Sequence, residues 1–117
     1  MRIQRRAVGN VTIVAFTGEF DAMDLPAVNA EMEGMIQEGC LRLVFNLRDL
    51  TFINSTWISY LLKTSKDLKD AGGELVLSDP SRFFQRVGQA LGLERIFSVF
   101  PDDQGALEHF GEDGSAA

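Results

Sequence analysis

The feature that most constrains the fold is an alternation of short apolar runs with longer amphipathic segments. The apolar runs have the length of strands, and the amphipathic segments carry apolar residues at the three- and four-residue spacing of a helix. Three helical segments each connect two strand segments, and connections of this kind are right-handed crossovers in parallel sheets. The alternation therefore predicts a single α/β domain with a mostly parallel sheet.

Five strands are predicted. The β-branched run Val11 to Thr17 follows a turn at Gly9-Asn10, so the segment from Arg2 to Val8 is expected to pair with it as a hairpin and to form an antiparallel edge. The other strands are expected over Leu41 to Leu47, Glu74 to Ser78 and Ile96 to Phe100.

Four helices are predicted from capping residues and glycine stops, which gives the order β-β-α-β-α-β-α-β-α. Pro26 fits the first turn of the first helix. The expected N-caps are Asp24, then one of Asn54, Ser55 and Thr56, then Asp79 or Ser81, then Asp102 or Asp103. The glycines that end the first three helices are Gly39, Gly72-Gly73 and Gly92.

Length and charge restrict the class of protein. A chain of 117 residues that is 45% hydrophobic suits one core, so we expect a single domain over residues 1–110 and a flexible polar tail over residues 111–117. The net charge of -6 would repel a phosphate backbone, so nucleic-acid binding is not expected. Three arginines near the start, Arg2, Arg5 and Arg6, are expected on the solvated face of an edge strand.

The sequence also indicates a cellular compartment. No run approaches the roughly 20 apolar residues of a membrane span, and Met1 begins a polar segment without the apolar core of a signal peptide. The single cysteine, Cys40, cannot form an internal disulfide and is expected to be a buried, inert thiol. We therefore expect a cytoplasmic protein that does not bind membranes.

Enzymatic chemistry is poorly supported. The only histidine, His109, lies near the chain end, so no catalytic serine or cysteine arrangement can be assembled without it, and no zinc-type cluster occurs. No glycine-rich phosphate loop follows a strand. An acidic-pocket receiver domain would have an acceptor Asp where Asn54-Ser55 stands, and a lysine after Lys69. We expect neither an enzyme nor a metal or cofactor.

Polar residues gather where the predicted strands end. In open parallel sheets, binding sites lie at the carboxyl ends of the strands. That rule places Asp21 and Asp24, the segment Asn54-Ser55-Thr56 and the segment Ser78-Asp79-Pro80 at one edge. At the start of a helix, a phosphate on Ser55 would lie near free backbone N–H groups and the positive end of the helix dipole. The alternative is that Ser55 is a simple N-cap.

The second predicted helix carries two aromatic residues in its first two turns. On a helical wheel, Ile58, Leu61 and Ser65 define the core-facing centre, which places Trp57 at the edge of the apolar stripe and Tyr60 outside it. An exposed Trp and Tyr pair is typical of an interface anchor. The alternative is a Trp that folds over the rim of the core.

Three segments of the chain resemble one known family. Phe16-Thr17-Gly18-Glu19-Phe20-Asp21 is similar to an L-x-G-E-L-D motif, and Leu47-Arg48-Asp49-Leu50-Thr51-Phe52-Ile53-Asn54-Ser55-Thr56 to D-L-S-x-V-x-F-M-D-S-S/T. Ala71 to Leu77, with Ala90-Leu91-Gly92-Leu93, is similar to paired G-G-x-L-x-L and L-G-L motifs. Together they resemble the STAS domain of bacterial anti-sigma-factor antagonists, which also occurs in sulfate-transporter tails.

The resemblance implies a phosphorylation-controlled partner switch in transcription. The residue matching the family's phosphoacceptor is Ser55, although the sequence leaves open whether Ser55 or Thr56 takes the phosphate. The unphosphorylated form would bind an anti-sigma factor that is also a serine kinase, and a phosphatase would restore binding. The phosphosite neighbours would be Asp21, Asn54 and Thr56. The partner-binding residues would be Glu19, Asp21, Trp57, Ile58, Tyr60 and Asp79.

Two positions depart from the family motif. Asn54 stands where the family has Asp, which removes a negative charge beside the acceptor. Trp57 stands where the family has Gly, and a bulky ring there would reshape the docking surface. We therefore expect a partner other than a standard anti-sigma kinase.

Other functions stay open at this point. The chain could be a STAS subunit of a lipid-transport or signalling complex that binds constitutively through Trp57. A small-molecule site at the strand edge is a third hypothesis, which a thermal-shift screen would test. The sequence also leaves open a weak homodimer.

Overall fold

In the computed structural model, which describes residues 1–112, the elements follow the predicted order with one strand added. The strands are β1 (Arg2–Val8), β2 (Val11–Glu19), β3 (Arg42–Asn46), β4 (Leu50–Phe52), β5 (Glu74–Ser78) and β6 (Val99–Phe100). The helices are α1 (Leu25–Gln37), α2 (Ser55–Asp70), α3 (Arg82–Leu91) and α4 (Asp103–His109). Two 3-10 turns, Ala22–Asp24 and Leu93–Arg95, precede α1 and follow α3.

The sheet has the predicted topology. Its strands lie in the order β1-β2-β3-β5-β6, and every pair except β1 with β2 is parallel. Because each crossover moves one place in the same direction, right-handed connections put α1, α2 and α3 on the same face. The expected α/β class and mostly parallel sheet are confirmed.

The first two strands form the predicted hairpin around a turn at Gly9, whose φ of +58° suits glycine. The arginines of β1 are exposed, as expected for a solvated edge. Arg5 forms ion pairs with Glu31 of α1 and with Glu38, the residue after α1, whereas Arg6 lies 3.6 Å from Asp103 of α4. Neighbouring arginines therefore point to opposite faces of the sheet.

Each face of the sheet has its own apolar core. Leu43 and Phe45 of β3 join the larger core, which α1, α2 and α3 cover. Val44, between them, joins a smaller core with Ala106 and Leu107 of α4. Because β3 is buried on both faces, its sequence is a continuous apolar run and not an alternation of apolar and polar residues.

The start of the last strand and the burial of the cysteine both differ from the prediction. The last strand is predicted from Ile96 but begins at Val99, because the N–H groups of Ile96 and Phe97 donate to the carbonyl of Leu93 and extend the preceding 3-10 turn. Cys40 is half-buried, not fully buried.

The added strand, β4, consists of three residues in a segment that the sequence predicts as a loop. It pairs in parallel with the end of β2, with Gly18 opposite Leu50 and Glu19 opposite Phe52. The Gly18 N–H also donates to the carbonyl of Asp49 at 2.9 Å. A strand this short is stabilised by the distant strand it pairs with, so local sequence pattern does not reveal it.

The predicted tail lies mostly outside the described residues. Gly111 and Glu112 continue the last turn of α4 through N–H bonds to Glu108 and Leu107, and a carboxylate oxygen of Glu112 accepts the N–H of Asn10 at 3.2 Å. Residues 113–117 are not described.

Candidate functional site at the carboxyl edge of the sheet

Backbone hydrogen bonds bring the three predicted polar segments together. The N–H of Phe20, just after β2, donates to the carbonyl of Phe52 at 2.8 Å, which joins the Asp21 turn to the segment before α2. Ser81, just after β5, donates its N–H to Leu47 and its hydroxyl to the carbonyl of Leu50 at 2.9 Å. The carboxyl ends of β2, β4 and β5 therefore form one continuous surface, which we call the Ser55 edge.

The start of α2 assigns different roles to its three polar residues. Asn54 is the N-cap, with extended backbone, and its side-chain oxygen accepts the N–H of Trp57 at 3.1 Å. Ser55 and Thr56 are the first two helical residues, and both are exposed. Among residues 1–112, the Ser55 hydroxyl has no hydrogen-bond partner. The alternative that Ser55 is a simple cap is therefore wrong, because Asn54 caps the helix.

The turn after β2 is stabilised by two carboxylates, each of which accepts a backbone N–H of the same turn. Asp21 accepts the N–H of Met23 at 3.0 Å, and Asp24 accepts the N–H of Asp21 at 2.8 Å. The Asp21 N–H, with the nearby N-terminal ammonium of Met1, holds the pKa of the Asp24 carboxyl below its ordinary value. Asp24 stands at the N-cap position of α1, but its side chain makes no cap bond to that helix. Asp21 is exposed at the Ser55 edge.

The residues at the end of β5 and just after it contact helices on opposite faces of the sheet. Ser78 is fully buried and donates to Asp103 of α4 at 2.6 Å, so its hydroxyl does not reach the Ser55 edge. Asp79 is half-buried and has a φ of +47°, a left-handed conformation that is uncommon outside glycine. Ser81, the second of the two expected caps, accepts the N–H of Phe84 at 3.1 Å and caps α3.

The expectation that Trp57 is an exposed anchor is wrong. Its side chain is completely buried and makes edge-to-face contacts with Phe16 and Phe84 at centroid distances of 5.9 and 6.3 Å. The alternative, a Trp that folds over the rim of the core, also understates its burial, because the ring lies inside the larger core. Among residues 1–112, the indole N–H has no hydrogen-bond partner.

Tyr60 is also buried, with 6% of its surface exposed, so it cannot be a surface anchor either. Its hydroxyl donates to the carbonyl of Val28 in α1 at 3.2 Å, and burial raises the pKa of the phenol to about 12. The buried stripe of α2 is centred near Trp57, Leu61 and Leu68. At 100° per residue, the predicted stripe is rotated from it by about 60°, which is why the prediction placed Trp57 at the edge of the stripe and Tyr60 outside it although both are buried.

The remaining predicted partner-binding residues differ in exposure. Glu19 is exposed and Ile58 is half-buried against the larger core. Two exposed apolar side chains at this edge were not predicted: Met23 is 87% exposed and Phe52 is 47% exposed. Met23 could have been recognised as an apolar residue between two acids. Phe52 has no such signal, because period-two alternation puts it on the same face as the buried Leu50.

Other chemistry finds little support in the described part of the chain. Residues 1–112 contain no group of three or more His, Cys, Asp or Glu side chains arranged to hold a metal ion. Within the same residues, no helix is long and apolar enough to cross a membrane. His109 lies 2.9 Å from Glu74, at the amino end of β5, and so at the opposite end of the strand from the Ser55 edge.

Comparison of sequences gives a consistent set of relatives. The family model described as STAS domain matches residues 2–106. The anti-sigma F factor antagonist of Paenibacillus polymyxa is 27% identical over 108 residues, which cover 92% of both chains. The anti-sigma-B factor antagonist of Bacillus subtilis is 26% identical over 96 residues, which cover 81% of this chain and 86% of that protein.

Solved structures share the fold. A putative anti-sigma factor antagonist from Thermotoga maritima has a TM-score of 0.84 at 19% identity, covering 92% of both chains. The Bacillus cell fate determinant SpoIIAA in its phosphorylated form has a TM-score of 0.74 at 21% identity, covering 93% of this chain and 99% of that one. With a family model that matches nearly the whole described chain, the protein belongs to the STAS domain family.

Proposed function

We propose that this protein is an anti-sigma-factor antagonist whose binding is controlled by phosphorylation of Ser55. The observation that carries the proposal is the division of roles at the start of α2. Asn54 caps the helix by accepting the N–H of Trp57, and the exposed hydroxyl of Ser55 has no hydrogen-bond partner within residues 1–112. A residue that can be modified without loss of a cap is suited to act as a switch.

The relatives support the functional class. Both sequence relatives are named as antagonists of anti-sigma factors, and one structural neighbour is a phosphorylated protein. On this proposal the unphosphorylated chain binds an anti-sigma factor that is also its serine kinase, and a phosphatase restores binding. The expectation of a different partner rested on an exposed Trp57, and the buried ring removes that reason. The chain itself acts as a binding protein and not as an enzyme. Its place is the cytoplasm, because that is where a bacterial sigma factor works.

The setting of Ser55 favours a charged modification that leaves the fold intact. The first turn of α2 contains no acidic residue, so the positive end of the helix dipole is not neutralised there. A phosphate at Ser55 would add about -1.5 to -2 charges next to that positive end. Asn54, unlike an Asp, would not repel it.

The structure does not support the alternative of constitutive binding through Trp57. A STAS subunit that binds through Trp57 requires an exposed ring, and Trp57 is fully buried. Constitutive binding through other residues of the Ser55 edge is the outcome that the experiment must separate from a switch.

Intact mass of protein purified from its native cell tests the proposal. We expect a fraction of the wild-type chain to carry one phosphate, and the increment to be absent from Ser55→Ala. Thr56→Ala is the matched control, since Thr56 is the neighbouring exposed hydroxyl, and it should still be phosphorylated. A phosphate that persists in Ser55→Ala and disappears in Thr56→Ala would move the acceptor to Thr56. No phosphate under any growth condition would contradict the switch.

A further inference from the structure

Two large apolar side chains are exposed at the Ser55 edge. Met23 is the more open, with 87% of its surface exposed, and Phe52 is 47% exposed. Phe52 is supported from beneath by Phe83 of α3, with ring centroids 5.7 Å apart. Exposed apolar groups that are held in place by the fold are characteristic of contact sites.

Backbone hydrogen bonds hold the two segments that carry these side chains close to the start of α2. Phe52 ends β4, three positions before Ser55, and its carbonyl accepts the N–H of Phe20. Met23 follows within the turn that Asp21 and Asp24 hold together. The two side chains therefore belong to adjoining segments of the Ser55 edge, and neither depends on a loose loop for its position.

Several exposed carboxylates lie in the same segments as Met23 and Phe52. Glu19 is the register partner of Phe52, and Asp49 is bonded through its carbonyl to Gly18. Glu19, Asp21 and Asp49 are exposed, and none takes part in an ion pair within residues 1–112. Arg48 is the adjacent cation along the chain and Arg82 begins α3, so these three carboxylates outnumber the two arginines.

The excess of negative charge restricts the kind of molecule that can bind to the Ser55 edge. A second copy of the chain would oppose acidic rim to acidic rim, and each copy has a net charge of -6. Anionic lipid headgroups and nucleic-acid phosphates would be repelled for the same reason. A protein with lysines or arginines around an apolar pocket is complementary in both respects.

We infer that Met23 and Phe52 are the apolar anchors by which the Ser55 edge docks a partner protein whose apolar pocket is bordered by basic residues. The inference deepens the proposed function and rests on it for the identity of the partner.

Site-specific photo-crosslinking tests the contact whatever the identity of the partner. Benzoylphenylalanine is introduced at Phe52 and, in a control protein, at Leu91, which is 56% exposed at the end of α3. Both proteins are irradiated in native-cell extract. We expect one partner crosslinked from position 52 and absent from position 91. Equal crosslinking from both positions, no crosslink from position 52, or a crosslink to a second copy of this chain would overturn the inference.

Affinity measurements with the crosslinked partner, purified, test the energetics. Phe52→Ser should weaken the Kd by about tenfold or more and Met23→Ser by about fivefold, as for central interface side chains, whereas Leu91→Ser should change it less than about twofold. Because Met23 is almost fully exposed, its variant should fold normally and keeps the test decisive if Phe52→Ser unfolds. Wild-type affinity for Met23→Ser and for folded Phe52→Ser would overturn the inference.

The same titrations separate this inference from the proposed function. If Ser55→Asp loses binding while Met23→Ser and Phe52→Ser bind as wild type, the switch stands and the anchors are wrong. If Ser55→Asp binds as wild type while Phe52→Ser and Met23→Ser lose binding, the anchors stand and the switch is wrong. The association rate should also fall as salt is added, because the acidic rim steers a basic partner.

Discussion

The side-chain oxygen of Asn54 accepts the backbone N–H of Trp57 at 3.1 Å, and this bond assigns the capping of the helix to a different residue from the phosphoacceptor that we propose. Ser55, between them in sequence, is left free. The family motif has Asp at position 54, whose carboxylate would also cap the helix but would add a negative charge. The amide caps the helix while leaving its positive end available to a phosphate.

Because Asn54 caps the helix and Ser55 does not, substitution of these two neighbours should change the free energy of unfolding by different amounts. Asn54→Ala removes the cap and should lower the free energy of unfolding by about 1 kcal/mol. Ser55→Ala should change it by less than about 0.5 kcal/mol, because Ser55 is exposed and caps nothing. Urea denaturation of the two variants measures both values. Equal losses would mean that Ser55 shares the capping role.

The buried indole predicts a large loss on truncation. Trp57 contacts Phe16 and Phe84 in the larger core, so Trp57→Ala should cost about 3 to 5 kcal/mol in unfolding free energy. Trp57→Phe should cost less than half as much, because it keeps most of the ring and removes an N–H that has no partner within residues 1–112. The comparison is made by urea denaturation followed by circular dichroism. A small loss for Trp57→Ala would contradict the burial.

Tyr60 predicts a stability change at high pH. Burial raises the pKa of its phenol to about 12 from an ordinary value of 10.0, so the unfolded chain loses this proton at lower pH than the folded one. Its contribution to stability is therefore constant below pH 10, falls as pH rises from about 10 to about 12, and levels off above that.

Ultraviolet absorbance of the phenolate measures this titration directly, because Tyr60 is the single tyrosine. Tyr60→Phe is the control for stability: its unfolding free energy should fall less than that of wild type between pH 10 and 12. It should also be about 0.5 to 1.5 kcal/mol less stable near neutral pH, because it loses the bond to Val28. Phenolate formation near pH 10 in the folded protein would contradict the account.

Substitution by alanine should have opposite effects on stability at Gly73 and at Gly88. A Cβ on Gly73 would collide with the backbone carbonyl of Leu41, so Gly73→Ala should cost about 1 to 3 kcal/mol. A Cβ on Gly88, in the middle of α3, would approach Phe84 no closer than 3.5 Å. Gly88→Ala should therefore raise stability by up to about 1 kcal/mol, because alanine favours the helix. Thermal unfolding ranks the three proteins.

Much of this fold follows from local sequence, and the errors have identifiable causes. Glycine stops and cap residues place the helices because those signals act within a few residues. The strand β4 and the late start of β6 depend on contacts with Gly18 and Leu93, which local pattern does not contain.

The candidate site is predictable in outline but not in detail. The meeting of the Asp21 turn with the start of α2 follows from parallel topology. The burial of Trp57 does not, because a small rotation of the helix moves a ring from rim to core. The choice of Asn54 among three adequate caps depends on the backbone conformation that each residue adopts.

The affinity of the purified partner for wild type and for three variants of Ser55 tests the central claim most directly. By isothermal titration, unphosphorylated wild type and Ser55→Ala should bind with Kd values within about twofold of each other, whereas Ser55→Asp should bind at least about tenfold more weakly. Ser55→Glu provides a second acidic variant, and unfolding free energies establish that all the variants are folded. Equal affinity of the folded acidic variants and wild type would contradict a switch at Ser55.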